Sequence, residues 1–379
     1  MFKIGIVIHD FKLGGSERIA IRLANYWHSQ GHKVIVFCGS RTGEMRELLS
    51  PNVQIVCAVP AIARRRGSPR EVGIAARSFF SKCNVDFCYI PGNYHWPVTY
   101  EMSRMAKPFR PILVTQISSL IYKPGRSYFS QSAFNMRMKL LIKKSDIIVA
   151  LDGSTARECD LILNRRDTKV IPLPALSAQV TRPVSPPTNY KALAVGRLTE
   201  QKGFDTLIKA FRLVVDRLPN AHLNICGEGE LRSYLENMIR ELDLMQNITL
   251  LGYRDEVWDL LEESSIFVLS SRREGYGAVL LEALAAGRFI VTTNCTPAIS
   301  DIFSQNGHLG EVVKVDNVLE ISKAIIKNLS TVPDICNEVE PILRKYRIDY
   351  GAGLYLNFVK EYKRERSLSK TQLVPEVTS

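Results

Sequence analysis

Residues 272–287, with the sequence RREGYGAVLLEALAAG, decide the fold of this chain. An apolar run at 266–269 precedes them and another at 289–291 follows, so the pattern predicts a strand, a loop, a helix and a second strand. Glu274 falls in the glycine-flanked loop and Glu282 inside the helix. Because the N-terminus of a helix attracts anions, this arrangement suits a ligand that carries both phosphates and hydroxyls, such as a nucleotide sugar.

Strands and helices alternate on both sides of this stretch. The chain begins with a predicted strand at 4–8, a helix capped by Ser16 and a second strand at 34–37. Such alternation predicts parallel sheets covered by helices, the pattern of an α/β fold. With 379 residues the chain is long enough for two domains.

A proline-rich segment at 173–190 is the predicted linker, because proline continues neither a helix nor a central strand. The predicted domains are 1–172 before the linker and 191–349 after it. A last helix at about 350–365 is expected to pack back toward the first domain, and 366–379 is expected to be a disordered tail.

The net charge of +12 is unevenly placed. Residues 1–180 hold 26 Lys and Arg against 12 Asp and Glu, and the rest of the chain is close to neutral. A basic half predicts a negatively charged partner. No apolar run approaches the roughly 18 residues of a membrane span. The 8 scattered cysteines include no Cys-x-x-Cys pair, which predicts a protein of the reducing cytoplasm.

A second loop of interest, VGRLTEQKG at 195–203, follows the first predicted strand of the second domain. It carries Arg197 and Lys202. Arginine can form a bidentate contact with a diphosphate, and lysine adds a point charge. Two cations on a loop would by themselves indicate only a solvated surface, so their interpretation depends on the carboxylate motif further along the chain.

These motifs together resemble the retaining glycosyltransferases of family 4, which have the GT-B fold. In this chain residues 195–203 are followed by Glu274-x7-Glu282, and Gly14-Gly15-Ser16-Glu17 resembles the family's N-terminal glycine loop. Residues 227–230 and 251–253 resemble two loops of the nucleotide-binding domain. The resemblance spans nearly the whole chain and implies two Rossmann-like domains whose parallel sheets face a central cleft.

The resemblance also implies roles for the matching residues. Arg197 and Lys202 would hold the donor's diphosphate and stabilise the charge that grows on the leaving group. Glu282 would accept hydrogen bonds from the ribose, and Glu274 would contact the donor sugar as part of the catalytic set. The further donor-binding positions that the family implies are Gly14, Gly15, Glu228, Gly252, Tyr253, Gly275, Tyr276 and Gly277.

The catalytic base stays open. Many relatives place a histidine after the strand that corresponds to 112–115, whereas this chain continues there with Gln116, Ile117 and Ser118. His95 and Asp10, which follow two other strands, are the candidate substitutes. In retaining enzymes of this type the leaving phosphate is thought to take the acceptor proton, which would require no side-chain base.

The end of that same strand is also a candidate for acceptor binding, because ligands of α/β proteins usually bind where strands end. Gln116 and Ser118 are the candidate acceptor-side residues. The expected donor is a UDP-sugar, and the expected acceptor is a saccharide or a lipid-linked saccharide. No Asp-x-Asp occurs in the chain, so we expect a metal-independent reaction without a cofactor.

Several other interpretations stay open at this stage. A GT-B sugar-nucleotide epimerase or a glycogen-type synthase would share the fold. An NAD-dependent oxidoreductase is disfavoured because no strand is followed by Gly-x-Gly-x-x-Gly. A nucleic-acid-binding protein would leave the second-domain motifs unexplained. A glycosidase pair is disfavoured because Glu274 and Glu282 would lie roughly 12 Å apart in a continuous helix, beyond the about 5–9.5 Å of glycosidase carboxylates.

Two basic stretches of the first domain mix cations with aromatic and aliphatic residues: 61–82 and 122–144. Such a mixture is typical of a helix that lies on anionic lipid, and equally of a solvated helix whose apolar face is in the core. The first interpretation predicts a peripheral protein on the cytoplasmic face of a membrane.

Overall fold

The computed structural model describes residues 1–12, 14–107, 109–122, 125–178, 183–254 and 256–371. The chain forms two compact units. The first unit contains Met1–Pro174 together with the C-terminal segment from Ile348, and the second unit contains Ala175–Arg347. No helix among the described residues is long and apolar enough to cross a membrane.

The first unit is built on a parallel sheet with the strand order β3-β2-β1-β4-β5-β6-β7. The strands inside the sheet are short apolar runs that are buried on both faces, as parallel sheets require, and the two edge strands are partly exposed. Their bounds are β1 (Lys3–Ile8), β2 (Lys33–Cys38), β3 (Gln54–Cys57), β4 (Phe87–Ile90), β5 (Ile112–Ile117), β6 (Ile147–Ala150) and β7 (Lys169–Val170). The helices between them are α1 (Gly15–Ser29), α2 (Ser68–Phe80), α3 (Trp96–Met102), α4 (Tyr128–Ile142) and α5 (Gly153–Leu163).

The second unit repeats the plan with the parallel strand order β10-β9-β8-β11-β12-β13. Its strands are β8 (Lys191–Val195), β9 (His222–Cys226), β10 (Ile248–Gly252), β11 (Ile266–Leu269), β12 (Phe289–Thr293) and β13 (Gly310–Val313). Its helices are α6 (Phe204–Val215), α7 (Arg232–Glu241), α8 (Trp258–Glu262), α9 (Ala278–Ala285), α10 (Pro297–Phe303), α11 (Val318–Thr331) and α12 (Glu340–Leu343). The predicted fold class, two Rossmann-like α/β units with parallel sheets, is confirmed.

The C-terminal helix, α13 (Ile348–Thr371), packs on the first unit. Trp27 of α1 donates its indole N–H to the carbonyl of Ala352 at 3.3 Å. Trp27 also packs edge-to-face against Tyr355, with 6.0 Å between the ring centroids. These rings are buried, so α13 completes the core on this side of the sheet.

One predicted segment differs from the structure. The tail expected to be disordered from 366 is helical as far as Thr371, because residues 363–371 contain neither glycine nor proline and include several good helix formers. Residues 372–379 lie outside the described residues. The predicted linker at 173–190 includes residues 179–182, which also lie outside them. In the described part of this segment, the backbone N–H of Leu176 donates to the carbonyl of Tyr346 at 3.0 Å.

Candidate functional site

The strand order of the second unit reverses its direction between β8 and β11. From β8 the chain proceeds to β9 on one side, and from β11 it proceeds to β12 on the other. Open parallel sheets bind their ligands at such a reversal, beyond the carboxyl ends of the two strands. The loops that leave these two strands are the basic loop and the carboxylate motif singled out in the sequence.

Lys202 and Glu274 meet at this point. Lys202 Nζ donates to Glu274 Oε1 at 2.6 Å, and Ser271 Oγ donates to the same oxygen at 2.7 Å. Both charged side chains are mostly buried. The lysine reaches its partner across Gly196, where a Cβ would come within 2.9 Å of Lys202 Cε. The two loops therefore place a fixed cation and a fixed carboxylate side by side at the sheet edge.

Arg272 holds the carboxylate loop in place. Its guanidinium binds both carboxylate oxygens of Asp205, at 2.9 and 2.7 Å, and its Nε donates to Asp316 at 2.8 Å. It also donates to the carbonyl of Glu200 at 2.7 Å. Burial would raise the pKa of Asp205, but hydrogen bonding from Arg272 outweighs it and lowers that pKa. A cation two residues before Glu274 thus fixes its loop to the one that carries Lys202.

The remaining residues of the carboxylate motif lie around the start of α9. Gly277 is the residue before the helix, with φ +86°, a conformation that favours glycine. Tyr276 is buried and packs edge-to-face on Tyr346 at 6.0 Å. The carbonyl of Gly275 accepts a hydrogen bond from Thr296 Oγ1 at 3.4 Å. Glu282 lies in α9 and is partly exposed.

A third set of loops continues the same edge beyond β9 and β10. The N–H of Gly227 donates to the carbonyl of Gly252 at 2.8 Å. A Cβ on Gly227 would come within 1.9 Å of the Gly196 carbonyl oxygen, so only glycine fits between these loops. Glu228 is exposed and accepts a hydrogen bond from Arg232 at 2.6 Å. Tyr253 is also exposed.

Arg197 completes the set on the second unit. It follows β8 directly and is exposed. Its side chain makes no hydrogen bond or ion pair with another residue in the described part of the chain. The structure thus gathers Lys202, Arg197 and Glu274 on neighbouring loops, one cation paired and the other open to a ligand.

The first unit has a corresponding reversal between β1 and β4. Asp10, two residues after the end of β1, is buried and accepts two hydrogen bonds from Arg64, both at 2.8 Å. Arg64 also reaches Glu17 at 3.1 Å, and its guanidinium lies 4.9 Å from the ring centroid of Tyr94. Burial alone would raise the pKa of Asp10, but hydrogen bonds from His9 and Arg64 outweigh it and hold that pKa well below its usual range. Asp10 is therefore a paired carboxylate and a weak base.

His95 does not have the geometry of a catalytic base. Its Nδ1 donates to the carbonyl of Pro91 at 2.6 Å, and its Nε2 accepts the backbone N–H of His9 at 3.0 Å. The ring is fully buried, and this burial lowers the pKa of the imidazole. Both ring nitrogens are thus occupied in joining the loops after β1 and β4.

The two acceptor-side candidates separate. Gln116 is buried, because β5 continues to Ile117, and its side chain accepts a hydrogen bond from Tyr89 in the core. It is therefore not available to an acceptor. Ser118 is partly exposed, and its hydroxyl accepts a hydrogen bond from Ser16 at 3.1 Å.

The glycine loop lies at the start of α1. A Cβ on Gly14 would come within 2.3 Å of Glu17 Oε2, whereas a Cβ on Gly15 would meet nothing within 4 Å. Gly15 is thus the position where the backbone is open to a ligand. Leu13, in the same loop, lies outside the described residues.

Sequence reasoning missed the residues that position these loops. Arg64 stands in a run of three arginines at 64–66 and was interpreted as part of a basic surface, yet it is bound by Asp10 and Glu17. Arg272 opens the carboxylate motif without any sequence signal for its two carboxylate partners. His9 lies between β1 and Asp10, and its partners Asp10 and Ser68 are fixed only by the fold.

The two units match two glycosyltransferase profiles. Residues 13–174 match the profile described as Glycosyltransferase Family 4, and residues 179–337 match that of Glycosyl transferases group 1. Together the two matches span most of the chain, and both are to families of glycosyltransferases.

Curated relatives align over parts of their length. An uncharacterised glycosyltransferase of Haemophilus influenzae is 31% identical over 43% of this chain and 46% of its own. Poly(glycerol-phosphate) alpha-glucosyltransferase of Bacillus subtilis is 30% identical over 42% of this chain and 24% of its own. A Campylobacter jejuni enzyme that transfers N-acetylgalactosamine to a diphospho-undecaprenol-linked sugar is 27% identical over 66% and 61%. The chain spans less than two thirds of each.

Solved structures share the whole fold. TarM of S. aureus, crystallised with UDP, Fondaparinux and alpha-GlcNAc-glycerol, superposes with a TM-score of 0.79 at 12% identity. Anabaena HepE, crystallised with UDP and glucose, superposes with a TM-score of 0.75 at 16% identity. Each comparison covers 95% of this chain and 100% of the other.

Proposed function

We propose that this protein is a retaining glycosyltransferase that moves a hexose from a UDP-sugar to a saccharide or lipid-linked saccharide in glycan assembly. The observation that carries the proposal is the contact of Lys202 with Glu274 at the strand reversal of the second unit. The lysine can bind the negative charge of a diphosphate, and the glutamate can accept a hydrogen bond from a sugar hydroxyl. The two glycosyltransferase domains favour this activity over an NAD-dependent oxidoreductase or a nucleic-acid-binding protein.

The reaction places new negative charge on the leaving group. The acceptor oxygen bonds to the anomeric carbon, the bond from that carbon to the phosphate oxygen breaks, and UDP leaves with the electron pair. Lys202 and Arg197 stabilise this charge because they are held on the rigid edge of the sheet and need not reorganise. The acceptor oxygen bonds on the face of the sugar that UDP leaves, which gives retention, and its proton passes to the leaving phosphate oxygen on that face.

No side-chain base is required on this route. His95 has both ring nitrogens occupied, and Asp10 is neutralised by Arg64. We assign these residues to shaping the first unit's loops and assign charge stabilisation to the second unit. The two cations supply the function that a metal ion would otherwise have, so transfer is expected to continue at an undiminished rate in excess EDTA.

The donor and acceptor classes rest on the relatives. TarM and HepE were crystallised with UDP, which favours a uridine donor. The names of the Bacillus and Campylobacter relatives describe a polymer acceptor and a lipid-linked acceptor. A lipid-linked acceptor would place this protein at the cytoplasmic face of a membrane.

Thermal unfolding in the presence of nucleotide sugars tests the proposal. A UDP-sugar should raise the Tm, because a ligand that binds only the native state stabilises it. Lys202→Met should abolish most of this shift, and Lys209→Met on the exposed side of α6 is the matched control. No response to any nucleotide or nucleotide sugar would overturn the proposal.

Two carboxylate variants separate the roles. Glu282→Ala should weaken UDP binding, because the ribose loses its acceptor. Glu274→Ala should leave UDP binding nearly intact and slow transfer by about 10²–10³-fold, the usual cost of one group that stabilises the transition state. The reverse pattern would overturn the role assignments.

A further inference from the structure

Helix α4 carries apolar residues on two opposite faces. Met138 and Ile142 are buried on the inner face, where they join a core that includes Trp96 and Ile148. On the outer face, Phe129, Met136 and Leu140 are 83%, 70% and 63% exposed. A helix that packs on a sheet has only one face to bury. The outer apolar residues therefore have no role in the core.

These three outer residues form one stripe. Positions 129, 136 and 140 are separated by seven and four residues, so they recur on the same side of a helix with 3.6 residues per turn. Exposed apolar residues that occur singly are normal, whereas a contiguous row marks a surface for association. We name Phe129, Met136 and Leu140 the outer stripe.

Cations lie on both sides of the outer stripe. Arg137 lies on one flank and Lys139 on the other, as the helical period requires, and Lys143 and Lys144 directly follow the last residue of α4. All four residues are exposed, and none of their side chains makes a hydrogen bond or ion pair with another residue that the structure describes. The sequence between Glu101 and Asp146 contains no acidic residue. The face is therefore apolar along its centre and positive along its edges.

The other basic stretch of the first unit, at 61–82, has most of its cations paired within the protein. Arg65 is paired with Glu71 at 2.8 Å, and Arg70 and Arg77 bind the buried Glu101 at 2.9 and 3.2 Å. Its two adjacent phenylalanines pack with Phe37 in the core of the unit. The structure thus distinguishes the two basic stretches: most arginines at 61–82 are occupied by internal contacts, whereas the cations along the outer stripe are open.

We propose that α4 lies on an anionic phospholipid surface, with the outer stripe among the acyl chains and the flanking cations on the lipid phosphates. An apolar centre with basic flanks on a helix is the arrangement that such a surface binds. A second copy of this chain fits poorly, because two such faces would bring eight cations together. The proposal deepens the proposed function and rests on it in one respect: an enzyme that uses a lipid-linked acceptor has to reach that acceptor in the membrane.

Co-sedimentation with vesicles tests the proposal. The wild-type protein should bind phosphatidylcholine vesicles that contain phosphatidylglycerol at low salt, and should bind pure phosphatidylcholine vesicles at least tenfold more weakly. Replacing the outer stripe by serine should weaken binding to the anionic vesicles by more than about 100-fold, because three inserted apolar side chains are lost. The control replaces three exposed apolar residues elsewhere and should bind as the wild type: Leu161→Ser, Met245→Ser and Leu319→Ser.

A charge variant tests the flanks separately. Replacing all four flanking cations by glutamine should weaken binding about fivefold for each charge removed. The UDP-induced rise in Tm should be unchanged in every α4 variant, so failure of membrane binding is distinguishable from failure of the proposed function. Absence of wild-type binding to anionic vesicles would overturn the proposal. So would equal loss in the control variant, or a dimer in solution that the serine variant converts to monomer.

Discussion

At the scale of single residues, the structure pairs charges before any ligand is bound. Lys202 and Glu274 satisfy each other, as do Arg64 and Asp10. A buried charge without a partner is costly, and a partner held on the neighbouring loop removes that cost. In the second unit the paired groups, Lys202 and Glu274, are those to which a nucleotide-sugar donor would bind in the proposed function. In the first unit Asp10 is buried, Arg64 is partly exposed, and the pair holds loops together.

The Asp10 pair predicts how stability depends on pH. The folded state depresses the pKa of Asp10, so its stabilising contribution is present above the unfolded value of about 3.9 and is lost as the pH falls below it. Arg64→Gln should remove this contribution and lower the free energy of unfolding by about 2–3 kcal/mol at pH 7, below the full cost of a buried pair because Arg64 is partly exposed. Urea unfolding at pH 7 and pH 3 measures both effects.

The control for this prediction is Arg66→Gln, two residues away. Arg66 is exposed and makes no side-chain hydrogen bond or ion pair with a described residue. It should change the free energy of unfolding by less than about 0.5 kcal/mol. If Arg64→Gln were as mild as Arg66→Gln at pH 7, the buried carboxylates would not depend on Arg64.

At the scale of elements, the sequence predicts those strands and helices that are determined by the local period of apolar residues and by turn residues. The predicted strands at 4–8 and 34–37 match β1 and β2 to within one residue at each end, because a short apolar run between polar residues marks a buried strand. The residue at which a strand ends cannot be predicted from the local sequence alone. Gln116 looks like a loop residue but lies in β5, and its partner Tyr89 belongs to the neighbouring strand.

The same limit applies to the candidate site. The family resemblance assigns Lys202 and Glu274 to one donor site and supplies their roles. Their clamp was not predictable, because Arg272 meets Asp205 and Asp316 only after β8, β11 and β13 have assembled. Partners that lie far apart in the sequence leave no periodic signal.

The start of α1 provides a prediction that separates folding from binding. A Cβ at Gly15 meets nothing within 4 Å, so Gly15→Ala should leave the Tm unchanged or slightly raised. If the backbone there approaches the donor phosphates, the added methyl group should lower kcat/KM for transfer by tenfold or more. Steady-state kinetics and thermal unfolding of the same preparation measure the two effects.

Gly353→Ala is the matched control within the same unit. Gly353 lies inside α13, where a Cβ also meets nothing within 4 Å. Replacing a glycine inside a helix by alanine should stabilise the protein by about 0.5–1 kcal/mol and leave kcat/KM unchanged. Wild-type transfer by Gly15→Ala would show that this backbone does not approach the donor.

At the scale of the whole molecule, the chain leaves its first unit and returns to it. The sheet of the first unit forms from residues before Pro174, yet its core is completed by α13 from the other end of the sequence. The second unit is one continuous segment, Ala175–Arg347. The first unit therefore cannot be complete until the second has been synthesised, whereas the second contains all of its own strands.

This organisation predicts two responses in one unfolding experiment. Tyr355→Ala should destabilise the first unit by about 3–5 kcal/mol, because it leaves a cavity beside Trp27 and Tyr89. UDP should stabilise the second unit.

Versions that keep only Trp27 or only Trp258 report on the first and second units by fluorescence. The Tyr355 variant should lower the Trp27 transition, and UDP should raise the Trp258 transition. Tyr350→Ala, at an exposed position of α13, should change neither, and an equal shift of both transitions by Tyr355→Ala would show that the units unfold as one.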